Sequence, residues 1–316
     1  MRIIFNLMNH FNPMSGGLNV IISAMHHLKE ENFEVCIYYY AYEQQESIHL
    51  GLEKSFKRLT LEDINPSTDI VVVAEEFIWV AHDFLAPRGI KYIIFNQGLS
   101  ASLYSHNPYN EHKTTYHNAT SILVNSLHTA YGVEMLFNVS PDKIFMHRMG
   151  IDTTMYYPEP KENIASCLAY KNGNFVRFIE HYFKDKYPTW KLEVINLLPK
   201  HETAAIFRKS KIFLAFGGPE GFGLPPLEAA LCGCKVVGFT GGGGDEYFKS
   251  PIFTAVNFMD HIDFIEKLDR TINYIDIGYF EDQEYMNYLR NHYSKELSKD
   301  SIIRFFSYIK ENFFNI

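Results

Sequence analysis

Short apolar runs rich in β-branched residues alternate with helix-period segments along most of the chain. In the first half, Arg2–Leu7, Glu34–Tyr40, Asp69–Ala74, Lys91–Gln97, Ser121–Ser126 and Lys143–Arg148 predict strands. Between the first two, Leu18–Lys29 sets Val20, Ile21, Ala24, Met25 and Leu28 on one face of a helix. Strands that are apolar nearly throughout and separated by helices form a parallel sheet covered on both faces. The second half repeats the pattern on a smaller scale, with strands predicted at Asn163–Tyr170, Lys191–Asn196, Lys211–Phe216, Lys235–Thr240 and Phe253–Val256. Helices are predicted at Phe175–Tyr187, Glu202–Lys209, Pro225–Leu231 and Met259–Asn273, and Ser298 is the candidate N-cap of a closing helix over Ile302–Phe313. The turn-rich stretch Gly150–Pro160 reads as the linker. The expectation is an α/β chain of two Rossmann-like domains, 1–152 and 153–316, facing a central cleft, with the closing helices in the second. Sheets of this kind bind ligands at the carboxyl ends of their strands.

The 316 residues are too many for one ordinary core and suit two compact domains. A net charge of −8 without a basic stripe argues against a nucleic-acid partner. Met1 leads directly into the first strand, so no secretory leader is expected, and no apolar run approaches the roughly 20 residues of a bilayer span. Cys36, Cys167, Cys232 and Cys234 include no C-x-x-C pair and match no disulfide framework, which points to reduced thiols in the cytoplasm.

The chemistry concentrates in Gly217-Gly218-Pro219-Glu220-Gly221-Phe222-Gly223-Leu224-Pro225-Pro226-Leu227-Glu228, between a predicted strand and a predicted helix. The prolines suit a first helical turn and Gly233 suits the helix stop. The N–H groups of Phe222, Gly223 and Leu224 would then lie at a helix N-terminus, where anions bind. Gly221 and Gly223 would allow a pyrophosphate close to the backbone. Glu220, ahead of the helix, is placed to accept hydrogen bonds from a sugar. Glu228, in the first turns, is placed to hold the vicinal hydroxyls of a ribose. The run Gly241–Gly244 is followed by Asp-Glu and not by Lys-Ser/Thr, which excludes a P-loop.

Glu220 and Glu228, with seven residues between them in EGFGLPPLEAALCGCKVV, resemble the E-x7-E motif of glycosyltransferase family 4, retaining enzymes of GT-B fold. The downstream Gly241–Tyr247, the segment from Val124 to Tyr157-Pro158, and Ser15-Gly16-Gly17 resemble further parts of that family. The resemblance implies that Glu220 binds the donor sugar, Glu228 the ribose, and the backbone of Gly221, Phe222, Gly223 and Leu224 the phosphates. Gly16 and Gly17 would approach the donor phosphate or the acceptor, with 1–152 the acceptor-binding domain and 153–316 the nucleotide-sugar-binding domain. Two cations expected on the diphosphate fall to Lys171 and, more weakly, Arg177. The family's histidine after the strand corresponding to Lys91–Phe95 is replaced here by Asn96-Gln97, neutral hydrogen-bonders suited to positioning and not to acting as a base.

No Asp-x-Asp pair occurs, so backbone amides and a cation are expected to neutralise the leaving diphosphate without a metal or any other cofactor. The resemblance implies a retaining hexosyltransferase acting on a nucleotide-sugar donor and a glycan, lipid-linked or protein acceptor in bacterial surface polysaccharide or glycoconjugate synthesis. Its setting would be the cytoplasm, with peripheral association at the inner membrane face or with other transferases. A nucleotide-sugar epimerase or phosphorylase of the same fold, or a non-catalytic nucleotide-sugar-binding scaffold, are the alternatives left open.

Overall fold

The structure is a computed structural model that describes residues 1–7, 16–39, 51–103, 108–249, 251–277 and 282–314. The chain divides into two compact units, Met1–Met149 with Glu296–Ile316, and Gly150–Lys295.

The first unit is built on seven strands: β1 (Arg2–Leu7), β2 (Glu34–Tyr39), β3 (Lys57–Leu59), β4 (Asp69–Ala74), β5 (Lys91–Asn96), β6 (Ser121–Val124) and β7 (Ile144–Met146). All adjacent pairs are parallel. Their order is β3-β2-β1-β4-β5-β6-β7, so the winding reverses between β1 and β4. Side-chain alternation divides the apolar residues between two layers. Ile3, Phe5 and Leu7 of β1 join one, whereas Ile4 joins the other with Val71, Val73 and Ile94. The helix Gly16–Glu30 closes the first layer with Leu18, Ile21, Ala24, Met25 and Leu28 buried. At the amino end of the sheet, Arg2 pairs with the fully buried Asp69 at 2.5 Å and holds its carboxyl below the usual carboxylate range against the penalty of burial.

The second unit holds β8 (Glu162–Leu168), β9 (Lys191–Ile195), β10 (Ser210–Ala215), β11 (Lys235–Phe239) and β12 (Phe253–Val256). They form a second parallel sheet in the order β12-β11-β10-β8-β9, with the reversal between β8 and β10.

Most strands begin and end within a residue or two of the predicted runs. Tyr40, predicted at the end of β2, lies outside the described residues. The edge strand β3 was not foreseen. The closing helix runs Lys295–Phe313 and buries Ile302, Phe305, Phe306 and Ile309 against the first sheet, not the second, so it belongs to the first unit. Ser298 lies inside this helix and is not its cap. Among the described residues no helix is long and apolar enough to cross a membrane.

Candidate active site

Both members of the E-x7-E pair sit after β10, at the reversal of the second sheet. β10 is buried and ends at Ala215, and the chain then turns through Gly217-Gly218-Pro219 to Glu220. The Glu220 N–H donates to the Gly241 carbonyl at 2.8 Å, the Glu220 carbonyl accepts from Gly243 N–H at 3.1 Å, and Glu220 forms a parallel bridge with Gly242. The glycine run after β11 therefore buttresses the Glu220 loop. A Cβ on Gly243 would stand 2.1 Å from the Gly221 carbonyl oxygen, inside any real contact, so only glycine allows the two segments to meet.

Gly223 follows with φ 80° and caps the helix Leu224–Leu231, whose first turn carries Pro225 and Pro226. The buried Tyr247 hydroxyl donates to the carbonyl oxygens of Phe222 and Gly223 and fixes the turn from below. The Phe222 ring packs against Tyr247 at 5.3 Å and Tyr293 at 5.4 Å, so the Phe222 side chain is an anchor and only its backbone is available to a ligand. At the other end of the helix, Gly233 N–H donates to Ala230 at 2.7 Å with φ 87°, the predicted stop.

Lys171 comes from the other strand of the reversal, just after β8, and its ammonium pairs with the Glu220 carboxylate. Both side chains are part-exposed, 30% and 27%, and an ion pair so placed adds little to stability. Lys171, Glu220, Gly217, Gly223, Phe216 and Thr240 line one pocket. Arg177 is not among these residues. It projects from the exposed face of the helix Gly173–Lys186 and donates to Asn174 on the same helix at 2.6 Å. The structure thus brings Lys171, and not Arg177, to the motif.

Glu228 is half-buried and accepts a hydrogen bond from the buried Tyr156 hydroxyl. Burial raises its carboxyl above the ordinary range, opposed by Lys200 and by the Tyr156 hydrogen bond. Tyr170, between β8 and Lys171, has its hydroxyl pKa raised by burial first and then by the charges of both Glu220 and Glu228. Tyr156, Tyr170 and Lys200 were not singled out in the sequence. A tyrosine directly before the candidate lysine was the available signal for Tyr170.

In the first unit, Gln97 donates to the Gly17 carbonyl at 3.2 Å, which joins the predicted glycine loop to the end of β5. Gly16 is exposed at the start of its helix, and Ser15 lies outside the described residues. Asn96 corrects the expectation of a ligand-facing amide. It is fully buried, accepts from Gly98 N–H at 3.0 Å and donates to Tyr116 at 2.7 Å and Ser102 at 3.3 Å, so its hydrogen-bonding capacity is spent inside the fold. Glu75, the residue after β4, was missed. Its carboxylate accepts hydrogen bonds from the N–H groups of Gln97 and Gly98 while its burial pushes the pKa up to about 8.

No protein-family model and no curated protein sequence matches the chain. Solved structures do, and the three that follow each cover 98% of this chain. A glycosyltransferase from Rickettsia africae ESF-5 matches over 99% of its own length, with a TM-score of 0.73 and 13% identity. The sucrose-phosphate synthase of Thermosynechococcus elongatus matches over 99%, with a TM-score of 0.75 and 11% identity. Anabaena HepE, solved in complex with UDP and glucose, matches over 100%, with a TM-score of 0.73 and 10% identity. Two parallel sheets of these orders, matched along whole glycosyltransferase chains, give this chain the GT-B fold.

Proposed function

We propose that the chain is a retaining glycosyltransferase that moves a hexose from a nucleotide-diphosphate sugar to a glycan, lipid-linked or protein acceptor. The observation that carries this reading is the meeting of Lys171 and Glu220 at the reversal of the second sheet, immediately ahead of the Leu224–Leu231 helix. The carboxyl ends of strands at such a reversal are where α/β sheets take nucleotides. Complexes of the similar HepE with UDP and UDP-glucose support the same ligand class here.

In this reading the diphosphate lies against Lys171 and the backbone of Gly221–Leu224, Glu228 takes the ribose hydroxyls, and Glu220 takes hydroxyls of the hexose. The contact between Lys171 and Glu220 then sets the phosphate beside the sugar ring, where the scissile bond must lie. The bond from the anomeric carbon to the phosphate oxygen breaks as the acceptor oxygen bonds to that carbon on the same face. The acceptor's proton passes to the departing phosphate oxygen. Lys171 and the helix N-terminus stabilise the charge that develops on the diphosphate. The Glu220 carboxylate stabilises the positive charge that develops on the sugar. Because a cation and amides hold the phosphates, no metal is required. We place the reaction in the cytoplasm, with peripheral association at the inner membrane face, in surface polysaccharide or glycoconjugate synthesis.

The test is calorimetry with UDP, GDP and ADP, followed by turnover of the matching nucleotide-hexose in excess EDTA. Binding of one nucleotide and transfer that survives EDTA are expected. A strict manganese or magnesium requirement would overturn the phosphate site. Binding without any turnover would leave a scaffold, and isomerisation of the donor without an acceptor would make the protein an epimerase.

A further inference from the structure

Lys171 and Glu220 line the same pocket and bond to each other across it. In the donor reading each has a different partner, a phosphate for the ammonium and hydroxyls for the carboxylate. A ligand must therefore compete with a contact that the chain already makes.

The two partners are not held alike. Glu220 is fixed along its backbone, donating to Gly241 at 2.8 Å and accepting from Gly243 at 3.1 Å. Its side chain lies against glycines on both sides. A Cβ on Gly241 would stand 2.7 Å from the Glu220 Cβ, and one on Gly217 would stand 3.0 Å from its Oε1. Lys171 follows a turn that its own N–H closes on the Leu168 carbonyl at 3.2 Å, and its charge rides on a flexible stem. The ammonium also stands over the exposed ring of Tyr170, 5.4 Å from the centroid. The lysine is thus the arm that moves, and the glutamate is the post it moves from.

An ion pair this exposed is weak, so a ligand opens it readily. A phosphate that takes Lys171 brings a second anion beside the Glu220 carboxylate, and like charges at that range repel. A nucleotide sugar relieves the conflict, because its hexose hydroxyls donate to Glu220 while its phosphate takes the ammonium. A nucleoside diphosphate carries more negative charge than the donor and offers Glu220 nothing.

We propose that the Lys171–Glu220 pair is a product-release switch, in which the donor's hexose occupies Glu220 and frees Lys171 for the diphosphate. Once the hexose has left, Glu220 competes for Lys171 and weakens the hold on the nucleoside diphosphate. This role rests on the nucleotide-sugar reading of the site. To that reading it adds discrimination between donor and product, which share the nucleotide.

The experiment is calorimetry of UDP, GDP and ADP on the full chain as wild type, Glu220→Gln, Lys171→Ala and the double variant. For the nucleotide that binds, Glu220→Gln should tighten affinity by about threefold, the scale of a part-exposed ion pair. Stopped-flow displacement should show release slowed to a similar degree. In the Lys171→Ala background the same substitution should leave affinity unchanged, because the cation under competition is gone. Glu220→Ala gives the same comparison if Glu220→Gln fails to fold. Unchanged or weaker affinity in the Glu220 variant would overturn the switch and leave the donor site standing. Equal tightening with and without Lys171 would also overturn it, since repulsion between carboxylate and phosphate would then account for the whole effect. No binding of any of the three nucleotides by the wild type would overturn the donor reading and the switch together.

Discussion

The two sheets solve the same topological problem with opposite chemistry. Each reverses its winding once, and each presents its carboxyl edge at that point. At the second sheet the edge carries a part-exposed ion pair, Lys171 with Glu220, beside a helix N-terminus braced by glycine contacts and by Tyr247. At the first sheet the edge carries a buried carboxyl and amides, with Asn96 consumed inside the fold. Charge left near the surface suits a highly charged ligand that brings its own solvation. The comparison teaches that two reversals of the same topology can carry different chemistry, one presenting a part-exposed ion pair and the other spending its polar groups inside the fold.

The sharpest way to break the comparison is to remove the cation. Lys171→Ala should lower kcat/KM for the nucleotide sugar by about 10²-fold, the scale of a lost electrostatic contact to a developing charge. Steady-state kinetics would show this, and a loss under threefold would mean that Lys171 does not meet the diphosphate. A smaller effect is expected at Glu228. Glu228→Gln should weaken binding of the matching nucleoside diphosphate by about tenfold, since charge-assisted hydrogen bonds contribute roughly 1.5–3 kcal/mol, and unchanged calorimetry would remove the ribose role. Arg177→Ala should change kcat/KM by no more than about twofold, as expected of an exposed side chain bonded within its own helix. Should it outrank Lys171→Ala, the diphosphate lies elsewhere.

At the first sheet the sharpening measurement is stability against pH. The folded pKa of Glu75 lies near 8, above its unfolded value, so its contribution to stability is fully present below the unfolded pKa of about 4.5 and is lost as pH rises through about 8. Glu75→Gln keeps an oxygen for the Gln97 amide and cannot ionise. Its melting temperature should match wild type near pH 4.5 and exceed it by a few degrees near pH 8.5, as read by calorimetric melting. Parallel melting curves across that range would mean that Glu75 is not desolvated.

Most of this architecture was legible because parallel strands buried on both faces leave continuous apolar runs, such as Ile70–Ala74, and helices leave a 3.6-residue stripe. β3 left no such trace, being a three-residue edge strand that begins Lys57-Arg58 with both side chains exposed. The return of the closing helix to the first sheet was hidden as well, because apolar periodicity shows which face is buried and not what covers it. At the site, glycine and proline around Glu220 announced a turn with backbone demands. The support for that turn was not readable, since Tyr247 and Gly243 act across sequence gaps of more than 20 residues. Glu75 had no such punctuation around it. Its only sign was a carboxylate directly after a continuous apolar strand, whose significance depends on which strand lies beside it.

The central claim, that the second sheet's edge holds a nucleotide-hexose with Glu220 on the sugar, is tested most directly by measuring two quantities on one variant. For Glu220→Ala, turnover of the nucleotide-hexose is predicted to fall by about 10²-fold, because a carboxylate beside the cationic sugar is lost. Calorimetric affinity for the bare nucleoside diphosphate, which has no sugar ring, is predicted to stay within a few-fold of wild type. Turnover that survives within a few-fold of wild type would contradict the account.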